Sequence, residues 1–142
     1  MKLTVLAIAA FMPIAAAAQG APGAHFLENW DLDADGTITL AELTERRGEV
    51  FYMFDSDENG VLDEAEYAMF DETRAADMAN QGGHADGRMG RVQEGLALPF
   101  NDTDADGQVS EAEFMAKSAD WLTIIDRDGS GDVTAADFGP RD

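Results

Sequence analysis

The sequence predicts an all-α protein with four acidic loops in two closely spaced pairs, joined by short shared helices and by small inter-loop β bridges. Three observations carry this expectation. A twelve-residue pattern recurs four times, starting at Asp31, Asp55, Asp102 and Asp126. Only 12 residues separate the first repeat from the second, and the third from the fourth, which leaves room for one helix and no second helix with a connector. Carboxylates dominate the charge: 29 Asp and Glu stand against 9 Lys and Arg in 142 residues, for a formal net charge of −20. Such a polyanion repels nucleic-acid phosphates and anionic lipid surfaces, and cations are its natural ligands.

Taken in order, the chain opens with MKLTVLAIAAFMPIAAAA, in which Lys2 precedes an apolar run that ends in small residues. Residues 1–18 resemble a secretory signal peptide, cut after Ala17 or Ala18, because the run is shorter than the roughly 20 residues that span a bilayer. The expected mature chain is exported, periplasmic or secreted, with no membrane anchoring after cleavage. Residues 19–79 should hold loops one and two, and residues 91–142 loops three and four. Residues 80–90 include four glycines and read as a flexible connector. Cysteine is absent, which removes disulfides and thiolate metal sites.

The four repeats read DLDADGTITLAE, DSDENGVLDEAE, DTDADGQVSEAE and DRDGSGDVTAAD. Each fits the frame D-x-[DNS]-x-[DNS]-G-x-[ILV]-x-x-x-[DE], whose fixed glycine and aliphatic residue have no reason to exist in a merely solvated acidic tract. The frame resembles the calcium loop of the EF-hand superfamily, and the resemblance covers 48 of the 142 positions. It implies a ligand set for up to four Ca²⁺. Calcium takes six to eight oxygens at about 2.3–2.6 Å, so a short loop must offer an oxygen at nearly every second residue. Positions 1, 3 and 5 supply Asp31, Asp33 and Asp35; Asp55, Asp57 and Asn59; Asp102, Asp104 and Asp106; and Asp126, Asp128 and Ser130. Position 7 supplies its backbone carbonyl, from Thr37, Val61, Gln108 and Asp132. Position 9 acts through water, at Thr39, Asp63, Ser110 and Thr134. Position 12 reaches back with two oxygens from Glu42, Glu66 and Glu113. Loop four ends instead in Asp137, one methylene shorter, and Gly139-Pro140 stops any following helix, so this site is expected to be the weakest and partly open to Mg²⁺.

Between the loops, Leu43, Val50, Phe51 and Phe54 recur at helical spacing, and Gly48 is tolerated at a cost. Phe26, Leu27 and Trp30 before loop one, and Trp121, Leu122 and Ile125 before loop four, play the same part; Tyr67, Phe70 and Phe114 follow loops two and three. The approach to loop three is irregular, with Pro99 in its last turn and polar Asn101 where the other loops have Trp, Phe or Ile. A shared helix from about Leu40 to Phe54 is on the order of 22 Å long and keeps its two loops apart. Loop one should therefore pair with loop four and loop two with loop three, setting Ile38 against Val133 and Leu62 against Val109. Met53, Met69, Met78, Met89 and Met115 are read as filler for an irregular core. His25 and His84 are read as exposed residues without partner ligands.

No catalytic constellation appears, since 19 of the 29 carboxylates lie inside the four frames and no Ser or His stands in a nucleophile motif. The expected function is binding itself, as an exported Ca²⁺ buffer or reservoir that folds on metal, with calcium ions as partners. One alternative is a sensor that exposes an apolar groove to an unknown protein partner. Another is a lanthanide binder, because the short spacing is similar to that of the lanmodulin family as well as to exported bacterial EF-hand proteins. The chain departs from that family. It carries Leu32, Ser56, Thr103 and Arg127 at position 2 where the family has proline, and only Asp63 is acidic at position 9. The neutral residues at position 9 favour a divalent over a trivalent ion.

Overall fold

The computed structural model describes residues 22–80 and 87–139. The signal-peptide reading of residues 1–18, with His84, Asp86 and the middle of the expected connector, lies outside these residues. The described chain is mostly helical with two small antiparallel sheets. Helix α1 spans Ala24–Trp30, and strand β1, Thr37–Ile38, lies within loop one. Helix α2, Leu40–Phe54, covers the range expected from the sequence. It starts because Thr39 caps it: the Thr39 hydroxyl accepts the Glu42 N–H while the Glu42 carboxylate accepts the Thr39 N–H, a reciprocal arrangement that satisfies two helix-end donors. Strand β2, Val61–Leu62, and helix α3, Glu64–Asn80, follow.

Helix α4 spans Gly87–Glu94, so residues 87–90, expected in a flexible connector, are helical. A single turn, α5, Leu98–Asn101, carries Pro99 in its first turn, where the missing N–H is not needed. Strand β3 is Val109–Ser110, α6 is Glu111–Ala116, α7 is Ser118–Ile125 and β4 is Val133–Thr134, before a 3₁₀ turn at Ala135–Phe138. No described helix is long and apolar enough to cross a membrane.

The strands pair across the chain. β1 meets β4 with Ile38 opposite Val133, and β2 meets β3 with Leu62 opposite Val109, the register that follows from placing two loops at opposite ends of a rigid helix. These four aliphatic side chains are each at most 1% exposed and form the centre of one core. Aromatic rings close it on two sides. Phe26, Trp30, Trp121 and Phe138 pack together, with the indoles of Trp30 and Trp121 edge to face at 4.8 Å. Phe51, Phe54, Tyr67, Phe70 and Phe114 form the second group.

Two expectations fail here. The helix shared by loops three and four is not continuous: it breaks at Lys117, between α6 and α7. Both lone pairs of the Phe114 carbonyl, the acceptor that the Ser118 N–H would use to continue the helix, are engaged by Arg47 Nε at 3.1 Å and Nη2 at 2.7 Å. The Ser118 hydroxyl further bonds the Met115 carbonyl at 2.8 Å. The methionines are not uniform core filler either. Met53 is 67% and Met69 is 59% exposed, while Met53, Met78 and Met89 line a groove of about 300 Å³ between α1, α2, α3 and α4.

Candidate metal centres

Each loop brings three carboxylates to one point. Asp31, Asp33 and Glu42 each offer an oxygen within 4.8 Å of the others, and so do Asp55, Asp57 and Glu66; Asp102, Asp104 and Glu113; and Asp126, Asp128 and Asp137. These are positions 1, 3 and 12 of the four frames. The convergence is built by backbone N–H groups that point inward. The position-1 aspartate takes the N–H of the position-6 glycine, from Gly36, Gly60 and Gly131 at 2.8 Å and from Gly107 at 3.0 Å. The N–H of position 5 is shared between the carboxylates of positions 1 and 3, as in Asp35 to Asp31 at 3.2 Å and to Asp33 at 3.1 Å. Position 12 folds back onto the start of its loop: Glu42 accepts from Leu32, Glu66 from Ser56, Glu113 from Thr103 and Asp137 from Arg127.

Asp35, Asn59, Asp106 and Ser130 fill position 5, and Thr37, Val61, Gln108 and Asp132 position 7. The position-7 N–H binds the position-5 side chain at 2.8 Å in loops one, two and three. Loop four differs, since the Ser130 hydroxyl donates to the Asp132 carbonyl at 3.0 Å, and the Ser130 N–H bonds Asp128 at 3.0 Å.

Two features were missed in the sequence. Position 4 is left-handed in every loop, at Ala34 (φ 60°), Glu58 (φ 56°), Ala105 (φ 61°) and Gly129 (φ 73°), and it is this turn that aims the inward N–H groups. Gly129 was the one hint of it, because a glycine in a strained position is the residue without a Cβ penalty. Position 9 was expected to act through water. It also caps the next helix: Thr39, Asp63 and Ser110 accept from Glu42, Glu66 and Glu113, and Thr134 starts the 3₁₀ turn. The signal was present as the pattern S/T-x-x-E.

Asp137 reaches back to the start of its loop despite its shorter side chain. The 3₁₀ turn draws it in, so it is 1% exposed and makes the same bonds as the glutamates, taking Arg127 N–H at 2.7 Å and Thr134 N–H at 2.8 Å. The Arg127 guanidinium holds that turn through the carbonyls of Asp137 and Gly139, where a longer helix would otherwise do so.

The electrostatics follow these bonds. The Ser110 N–H, followed by the Thr103 hydroxyl, lowers Glu113 to about 2, and the Thr39 N–H lowers Glu42. Asp33 is raised by desolvation and then by the carboxylates of Asp35, Glu42 and Asp31. Asp104 is raised too: the Asp106 N–H pulls it down, but desolvation and the charges of Asp106 and Glu113 outweigh it. Asp128 moves the other way, lowered by the Ser130 hydroxyl and N–H. The donors are all oxygens, which suits a hard cation and excludes a soft one. His25 stands apart from the four clusters, 3.1 Å from Asp77 and beside Asn29.

The chain was compared with protein-family models, curated proteins and solved structures, and it matches none of them.

Proposed function

We propose that this chain is a calcium-binding protein of the EF-hand type that acts as an exported Ca²⁺ buffer or reservoir and is not an enzyme. The observation that carries this reading is the convergence of three carboxylates at positions 1, 3 and 12 in all four loops. Without a cation these like charges face one another, so metal binding and completion of the fold should be linked. Calorimetric Ca²⁺ titration of the chain from Gln19 onward, followed in parallel by far-UV circular dichroism, tests it. The expected result is up to four ions bound with a rise in helix content; no heat and an unchanged spectrum would defeat it. Lanthanide titration completes the test, since folding with lanthanide but not at millimolar calcium would favour the lanmodulin-like reading.

A second reading, a sensor, is favoured by one feature. The groove lined by Met53, Met78 and Met89 combines adaptable thioether side chains with Val50, Phe54 and Phe70. A calcium-dependent rise in hydrophobic-dye fluorescence supports the sensor, and an unchanged signal supports the buffer.

A further inference from the structure

We infer that Arg47 is the positioning residue of loop three, fixing the separation of its two ends and thereby the distance at which Asp102, Asp104 and Glu113 converge. This rests on the metal-binding reading of the loops and goes beyond it by assigning a role to a side chain outside all four.

Loop three has the weakest approach in the molecule. Loops one, two and four are preceded by helices of 7, 15 and 8 residues, whereas loop three is preceded by α5, a single turn of 4. One turn has too few hydrogen bonds to fix the direction of the chain that leaves it. Behind that turn lies Arg47, at the middle of α2 and 0% exposed. A single nitrogen of its guanidinium, Nη2, donates to the Asn101 side-chain oxygen at 2.6 Å and to the Phe114 carbonyl at 2.7 Å. Asn101 immediately precedes Asp102, the first residue of loop three, and Phe114 immediately follows Glu113, the last. The two ends of the loop are thus tied to one atom.

The rest of the group is fixed in turn. Nη1 donates to the Gly95 carbonyl at 3.1 Å, and the guanidinium carbon lies 4.0 Å from the Phe114 ring centre and 5.0 Å from that of Trp121. The Asn101 amide donates to Gly95 and Ala97 carbonyls at 3.1 and 2.9 Å and to the Tyr67 hydroxyl at 3.2 Å. Tyr67 follows Glu66, so the same network touches the end of loop two. All the acceptors of Arg47 are neutral. Its bonds therefore act as directional constraints, which a planar fork of donors supplies and a point-like ammonium does not.

The test uses Arg47→Lys, which keeps the charge and loses the fork, and Asn101→Ala, which loses only the upstream tie. Each is made in the full chain and again in a Glu113→Gln background where loop three is disabled. In Ca²⁺ calorimetry, each variant should weaken the loop-three site about tenfold, the range for residues that orient a metal ligand, with at most a severalfold loss at its sheet partner, loop two, and have no further effect in the Glu113→Gln background. Without added metal, amides of Thr103 and Gly107 should exchange faster in both variants relative to those of Leu32 and Gly36. Equal weakening of all sites, an effect that survives Glu113→Gln, or loss of helical signal at millimolar calcium in both variants would overturn the proposal. If the wild-type chain binds no Ca²⁺, the calcium reading fails by itself, and the exchange ratio between loops three and one still decides the role of Arg47.

Discussion

Gly95 lies flat against the indole of Trp121, so closely that a Cβ on Gly95 would stand 1.7 Å from Trp121 Cδ1 and 2.1 Å from Nε1. The ring cannot retreat. It is 0% exposed, its Nε1 donates to the Arg91 carbonyl at 3.3 Å, and it packs against Phe26 and Trp30. The Gly95 carbonyl also holds Arg47 and Asn101. Gly95→Ala should therefore destabilise the fold by on the order of 3 kcal/mol, the upper end for overpacking. Chemical denaturation in saturating Ca²⁺ measures it, and a loss below about 0.5 kcal/mol, the scale of an ordinary surface substitution, would show that the two groups are not in contact.

Left-handed backbone at position 4 gives a prediction of opposite sign. Ala34 and Ala105 hold φ near 60° in exposed positions, where a Cβ costs roughly 1 kcal/mol and glycine costs little. Ala34→Gly and Ala105→Gly should each stabilise the folded chain by about 0.5 kcal/mol, net of the greater freedom glycine gives the unfolded state. Thermal unfolding of the double variant should show a higher midpoint than wild type. A lower midpoint would place the loop turn elsewhere.

The ease with which different parts of this molecule can be read from its sequence has physical causes. Loop positions, the limits of α2 and the pairing of Ile38 with Val133 follow from rigid constraints: fixed ligand spacing, a turn that wants glycine, and a helix too stiff to bring its ends together. Arg47 was unreadable because it occupies a core position of α2, one turn from both Leu43 and Phe51, where a charge contradicts the apolar stripe. Its counterpart showed as an anomaly, since Asn101 replaces the aromatic or aliphatic residue found before the other loops. The helix break at Lys117 depends on that same tertiary contact, and no local signal of 111–125 announces it. Met53 and Met69 were misplaced because methionine is equally at home in a core and on an adaptable surface.

Burial of Tyr67 makes its phenol a probe of the network around Arg47. Desolvation raises it from 10.0 to about 12, although the Asn101 bond pulls it down. Its hydroxyl donates to the Leu96 carbonyl at 2.6 Å, a bond that only the neutral form can make. The folded chain thus resists ionisation that the unfolded chain undergoes near 10. The resulting stability is complete below pH 10 and is lost as pH rises through about 12. Spectrophotometric titration of Tyr52→Phe, which leaves Tyr67 as the sole phenol, should show the transition near 12 or coincident with unfolding. A reversible transition at 10 in the folded chain would contradict the burial.

Loop four should gain from a carboxylate at position 5. Ser130 brings no charge and lies against the Asp132 carbonyl, an oxygen the cation would use. Ser130→Asp supplies the residue that loops one and three carry there and leaves the Asp132 carbonyl free. About a tenfold gain in Ca²⁺ affinity at loop four is expected, equivalent to about 1.4 kcal/mol, with Mg²⁺ competition there reduced. Calorimetry with and without millimolar Mg²⁺ reads both effects. An unchanged affinity there would mean that the 3₁₀ turn limits loop four and its ligand charge does not.

The strand register predicts which sites communicate. Thr37 and Ile38 sit opposite Thr134 and Val133, so the backbone between the candidate ligands of loop one is paired with that of loop four, while loops two and three share the other sheet. Ordering one loop fixes the strand of its partner and lowers the entropy that partner must lose on binding, which is positive coupling without any need for direct ligand contact. Sequence neighbours, by contrast, are held apart by α2, whose 15 residues set loops one and two on the order of 22 Å from each other. Glu42→Gln should therefore weaken loop four as well as loop one, and Glu66→Gln should weaken loop three, each by severalfold, within the usual range of coupling energies. Backbone amide shifts of Gly36, Gly60, Gly107 and Gly131, followed by NMR during Ca²⁺ titration, report the four loops separately. If Glu42→Gln shifted the titration of Gly60 and left that of Gly131 alone, coupling would run through the helix and not through the sheets.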